Sequence, residues 1–279
     1  MQTGIFTKTF SRPTLELVLD AVRATGLSCV QLNLESAGLE AFPAAIPAGL
    51  AERIHDAVAE RGLSMGAVQG TFNMSHPDSA HRREGLRRLR LLVEACAKLG
   101  TFVVAICIGT RDADNMWRHH PDNGTPEAWR DMTGCVREAL HIAADQGVTL
   151  AMEPEVSNVV DSARTARRLL DEMGSPYLKV TMDGANLFPA GSLPRMAEVL
   201  DEAFALLGPD IILAHAKDLD RDGDAGQLPA GKGLLDYDRY VSLLKGCGFT
   251  GPILFHGLAE EDVPGCITFL HNKLEGGRD

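Results

Sequence analysis

Positive charge is scarce in this sequence. Lys and Arg number 27 against 38 Asp and Glu, for a formal net charge of −11 and a pI near 5.3. Affinity for a phosphate backbone is built from clustered Lys and Arg, so this balance argues against a nucleic-acid partner. No apolar run reaches about 18 residues, and positions 1–10 lack a charged, apolar, small-residue leader. Neither a membrane span nor a signal peptide is expected, and the expected compartment is the cytoplasm. The six cysteines, Cys29, Cys96, Cys107, Cys135, Cys247 and Cys266, form no C-x-x-C pair and sit mostly among apolar neighbours. That excludes a disulfide framework and leaves buried, reduced thiols. Nor is there a low-complexity linker or a shift in composition, so residues 1–279 read as one domain. With 45% hydrophobic residues the chain can bury a full core.

What the sequence does have is alternation. Apolar or β-branched runs that read as strands fall at 4–9, 29–34, 64–69, 102–108, 149–152, 178–182, 211–214 and 253–255. Between them apolar residues recur at three and four, as in Leu15, Leu17, Val18 and Val22, or Leu86, Leu89, Leu92, Val93 and Cys96. Thr125-Pro126-Glu127 opens one helix, and Gly26, Gly62, Gly100, Gly147 and Gly248 close others. Strict strand-helix alternation forces parallel pairing through right-handed crossovers, and eight such units close most naturally into a barrel. A Rossmann sheet is disfavoured, because Phe6-Thr-Lys-Thr-Phe10 follows the first strand where G-x-G-x-x-G would be needed. The expected fold is a single (β/α)₈ TIM barrel.

Barrel enzymes build their sites where strands end and βα loops begin. Four late strands end on polar residues: Thr149-Leu-Ala-Met152 on Glu153, Lys179-Val-Thr-Met182 on Asp183, Ile211-Ile-Leu-Ala214 on His215, and Ile253-Leu-Phe255 on His256. A lone carboxylate there is usually a cap or an ion-pair member, and a lone His is more often a satisfied core residue. Four at the same position on adjacent staves make coincidence the poorer account. Two carboxylates and two imidazoles suit Mn²⁺, Co²⁺, Zn²⁺, Fe²⁺ or Mg²⁺, and the mixed N/O set leans toward a transition metal.

These residues carry a resemblance. Leu150-Ala-Met-Glu153-Pro, Met182-Asp183-Gly-Ala-Asn186, His215-Ala-Lys217-Asp218, Gly231-Lys-Gly233 with Asp236, and His76-Pro-Asp78 leading to Arg82 or Arg83 resemble the sugar phosphate isomerase/epimerase group with the xylose-isomerase-like TIM barrel. That group includes tagatose and psicose epimerases, inosose dehydratases and endonuclease IV. The resemblance runs from first strand to last and implies Glu153, Asp183 and His215 as metal ligands. It also implies a glutamate at the end of the last strand, where this chain has His256. In the two-glutamate epimerases the paired carboxylates are thought to exchange the proton on opposite faces of a ketose, and here one remains. Asn186 stands where the group often has His, which argues against a trinuclear, endonuclease-type site. Related barrels are often dimers or tetramers, so a homo-oligomer fits the resemblance.

On the substrate side, Lys217 would point into the same mouth as His215 if alternation persists, against a salt bridge with Asp218. His76 and Asn73 follow the third strand and could donate to sugar hydroxyls. The long 109–120 segment offers Trp117 as an apolar platform, with His119 and His120 read as solvated. Glu155 is a candidate second base and Glu35 a candidate near the end of the second strand. The expected function is a metal-dependent isomerase or epimerase of a small sugar, keto-sugar or polyol. Glu153 and His256 would be catalytic, and Lys217, His76, Trp117 and Asn186 would contact substrate. The alternatives are a metal-dependent lyase or dehydratase and a non-catalytic sugar-binding or subunit barrel.

Overall fold

A computed structural model describes residues 1–276, so the last three residues of the expected 1–279 span lie outside the described residues. Eight parallel strands close on themselves: β1 (Thr3–Phe6), β2 (Cys29–Leu32), β3 (Ser64–Gln69), β4 (Val103–Cys107), β5 (Thr149–Glu153), β6 (Leu178–Asp183), β7 (Ile211–Asp218) and, after a short β8 (Leu228–Pro229), β9 (Ile253–Phe255). The order is β6-β5-β4-β3-β2-β1-β9-β7, and a β6–β7 pairing seals the ring. β8 pairs antiparallel with the end of β7, outside the barrel count. The helices are α1 (Leu15–Ala24), α2 (Leu50–Glu60), α3 (Ser79–Leu99), α4 (Pro126–Asp145), α5 (Ala163–Met173), α6 (Met196–Leu207), α7 (Tyr237–Gly246) and α8 (Val263–Glu275).

Local chemistry sets the helix ends. Thr14, Asp78, Thr125 and Ser162 each accept a backbone N–H of the first turn, and Ser162 with Thr165 forms a reciprocal capping box. Gly100 ends α3 at φ +82, where its N–H reaches back to Cys96 and Ala97. On α1 the buried stripe is Leu15, Val18, Leu19 and Val22, while Leu17 faces solvent. One residue off the stripe is a third of a turn away, which the spacing by itself left ambiguous.

Most apolar residues fill the layer between helices and strands. A second, smaller cluster lies inside the barrel: Phe6, Cys29, Ala67, Ala105, Ala151, Leu213 and Leu254, one from each of seven strands. Because side chains alternate along a strand, the residues two further on must also face the interior, one layer higher. On β3, β4, β5, β7 and β9 those are Gln69, Cys107, Glu153, His215 and His256. The alternation that packs the core thus delivers the polar cluster to the mouth.

Tyr240 of α7 locks two of these staves from behind. Its buried hydroxyl lies 2.8 Å from the Met182 carbonyl and 3.1 Å from that of His215. Tyr240→Phe is expected to cost about 1–2 kcal/mol in urea denaturation, the worth of a buried hydrogen bond. No measurable change would show that these carbonyls are satisfied otherwise. No helix among the described residues is long and apolar enough to cross a membrane.

Candidate active site

β7 runs four residues beyond the expected end at Ala214, as far as Asp218. His215 therefore sits within the strand, and Lys217, two residues on, shares its inward face. The Lys217 Nζ is 3.0 Å from Asp183 Oδ2 and donates to Asn186 Oδ1 at 2.7 Å. Its partner is therefore Asp183 rather than the adjacent Asp218. Asp218 instead accepts N–H groups from Leu219, Gly231 and Leu235, which pins the loop after β7.

Asn186 bridges the cluster. Its Nδ2 donates to Glu153 Oε1 at 2.7 Å while its Oδ1 takes the Lys217 proton, so one amide orients both groups. His215 Nδ1 lies 3.3 Å from Asp183 Oδ2 and 3.5 Å from Glu153 Oε1. His256 stacks on Phe6 with ring centroids 4.3 Å apart and meets His215 edge-on. Gly257, at φ +68, lets the chain turn away just past His256, beside the Lys217 stem.

The charges are interdependent. Burial alone would raise the Asp183 carboxyl, but Lys217 and His215 hold it well below the carboxylate range. Burial also opposes charge on His215, yet the Glu153 carboxylate and the hydrogen bond to Asp183 outweigh it and push the ring up to about 9. His256 goes the other way, because burial and the positive charges of Lys217 and His215 keep it well below its ordinary value. At neutral pH it is a neutral imidazole, the form that ligates metals. Burial and the Glu153 charge push Glu155 up to about 8.

Asp183, His215 and His256 each offer a ligand atom, all within 4.8 Å of one another. Glu153 lies outside that trio and abuts it through His215. His215 Nε2 and His256 Nδ1 are buried without a protein hydrogen-bond partner. An unpaired buried polar atom costs about 1–3 kcal/mol, a cost that a cation bound by these two nitrogens would relieve. The residues therefore fit a divalent cation, by donor chemistry and by these two orphaned nitrogens.

Above the cluster opens a cavity of about 590 Å³. Glu153, Asn186, Lys217, His256, Glu155, Glu35 and Trp117 all line it. Trp117 is half exposed, on a loop held rigid by Asp112, whose carboxylate accepts from Asp114 N, Asn115 N and Arg118. His76 is placed differently from the expectation. Its Nε2 faces the Ala113 carbonyl at 3.1 Å, its Nδ1 accepts from Asp78 N, and the ring stacks on His81, away from the cavity wall. Both nitrogens brace loops and none is left for a sugar. Asn73 is likewise consumed by Ser75 N, Thr110 N and Asp112 O.

Sequence reasoning missed Gln69, Thr71 and Cys107 in the wall. Gln31 donates to Gln69 and Gln69 to Thr71, a polar ladder rising from mid-barrel to the cavity. Counting two residues on from each inner apolar residue would have found Gln69 and Cys107. Gln227 and Asp224 come from the loop after β7 and had no such signal.

Residues 19–263 match the family described as xylose isomerase-like TIM barrel. This chain belongs to that family. Among curated relatives, L-ribulose-5-phosphate 3-epimerase UlaE of Shigella boydii serotype 18 is 26% identical over 192 residues, 68% of this chain and 61% of the relative. The chain thus matches less than two thirds of that relative's length. Among solved members of similar fold, an L-ribulose 3-epimerase superposes with a TM-score of 0.76 at 17% identity, covering 99% of this chain and 95% of the other. The IOLI protein with a bound zinc atom does so at 0.74 and 16%, with both chains fully covered.

Proposed function

We propose that this protein is a divalent-metal-dependent isomerase or epimerase of a small sugar or keto-sugar. The single observation that carries the reading is the juxtaposition of Glu153 with the Asp183, His215 and His256 trio, Glu153 and His256 both lining one cavity. Family membership and the sugar epimerases among its relatives support it.

Asp183, His215 and His256, with Glu153 alongside, would hold the cation, and a transition metal suits the mixed donors. A bound cation supplies Lewis-acid polarisation of a substrate oxygen. The chain does the rest. Glu153, oriented by the Asn186 amide, takes the proton from the carbon next to the substrate carbonyl. The Lys217 ammonium, fixed by Asp183 and Asn186, offsets the negative charge that grows on the substrate. His256 reaches the cavity from a stave three away from β5 around the ring and exchanges a proton where the usual second glutamate would. The same substitution favours the second reading, a lyase or dehydratase, because a carboxylate base facing a neutral proton exchanger can also expel water.

The test is to incubate metal-loaded protein with a panel of ketoses in D₂O and follow deuterium uptake next to the carbonyl by NMR. Deuterium uptake is expected into an epimer or isomer that has lost no atoms other than the exchanged hydrogen. Loss of water from the product would favour the second reading, and no uptake with any ketose would end the first. Trp117→Ala is expected to raise KM roughly 3- to 10-fold with kcat nearly unchanged, since a stacking face binds ground and transition states alike. An equal fall in kcat would instead place Trp117 in the chemistry.

A further inference from the structure

A phosphate ester needs cations or free N–H groups where its phosphate sits, and barrels of this kind usually supply them in the loops after the last two strands and at the following helix N-terminus. Here both places are acidic. The loop after β7 begins Leu219-Asp220-Arg-Asp222-Gly-Asp224, three carboxylates to one Arg221. After β9, the turn Glu260–Asp262 that leads into α8 carries three acids in succession. The nearby cation Arg12 is already bound to Glu260, Nη1 to Oε2 at 2.9 Å.

The cavity wall repeats the pattern. Among the described residues no arginine lines it, and its lysines are Lys8 and Lys217. Lys217, held by Asp183 and Asn186 beside Glu153, serves the reacting carbonyl end of the substrate in the reading above. Lys8 is exposed, with its Nζ 5.6 Å from the Phe6 ring centroid. Against it stand Glu35 and Asp224, which pair with no Arg or Lys among the described residues. Carboxylates accept from hydroxyl groups and repel a phosphate dianion, so the wall suits a ligand that is rich in hydroxyls and carries no charge.

We infer that the substrate is an uncharged, non-phosphorylated sugar, unlike the 5-phosphate named for the curated relative. The inference rests on the sugar isomerase or epimerase reading of the same site.

Calorimetry on the metal-loaded protein would test it with matched pairs, L-ribulose against L-ribulose 5-phosphate and further ketoses against their phosphate esters. In each pair that binds, the free sugar is expected to bind at least tenfold more tightly. The double variant Glu35→Gln/Asp224→Asn should narrow that ratio at least threefold. A preference for the ester, or no binding in any pair, would overturn the inference. Deuterium uptake on the same pairs separates it from the reading beneath. Tighter binding of the free sugar without uptake upholds the inference and sinks the isomerase reading, whereas uptake confined to the ester does the reverse.

Discussion

Glu153→Gln should abolish proton exchange on the ketose while the protein stays folded, with kcat falling about 10²- to 10⁴-fold, the usual worth of a positioned general base. The substitution is chosen for what it preserves. Glutamine keeps the volume, and its Oε1 can still accept the Asn186 Nδ2 proton now given to Glu153 Oε1 at 2.7 Å. What is lost is the charge and the basicity. The buried His215 ring, raised in part by that carboxylate, should then ionise at lower pH. A truncation to Ala would confuse the result, because it would leave the Asn186 amide unpaired beside a void. Circular dichroism and the melting temperature report the fold, and deuterium uptake reports the chemistry. Retention of a third or more of the wild-type exchange rate by a folded variant would remove Glu153 from the role of base and assign the proton transfer to another group of the cavity.

The architecture was legible because it follows from one repeated signal. Alternating apolar runs and 3.6-period segments leave a parallel closed sheet as the natural solution, and Glu153, Asp183, His215 and His256 share a layer because each stands two residues beyond an inner core position or its equivalent on β6. Strand length was less legible. Ala214-His215-Ala216-Lys217 alternates small apolar with polar residues, so the apolar run ends at the first polar one, although pairing with β9 and β8 carries the strand to Asp218. Where a residue's job depends on a long-range partner, the position could be singled out but the partner could not. Asn186 gains its role from the meeting of Glu153 and Lys217, which are 64 residues apart in sequence (217 − 153). His76 looked available for substrate because nothing local shows that Ala113, from the next loop, takes its second nitrogen.

His256 separates metal binding from general stability, because the two should move in opposite directions when it is replaced. Its ring stacks on Phe6 while its Nδ1 is buried with no partner in the protein. His256→Phe keeps an aromatic face against Phe6 and removes the orphaned nitrogen, so the melting temperature of chelator-treated protein should hold or rise. The response to metal should fall. For wild-type protein at a free Mn²⁺ or Zn²⁺ concentration about 100 times its Kd, the stabilisation is about 2.7 kcal/mol, which in a chain of this size is a rise of roughly 5–10 °C. In the variant that increment should shrink by at least half, because one of three clustered donors is gone. A generic packing defect would instead lower both melting temperatures and leave the increment intact. An unchanged increment would mean that the cation is held by Glu153, Asp183 and His215 without the last strand, and His256 would then be left to the proton exchange alone.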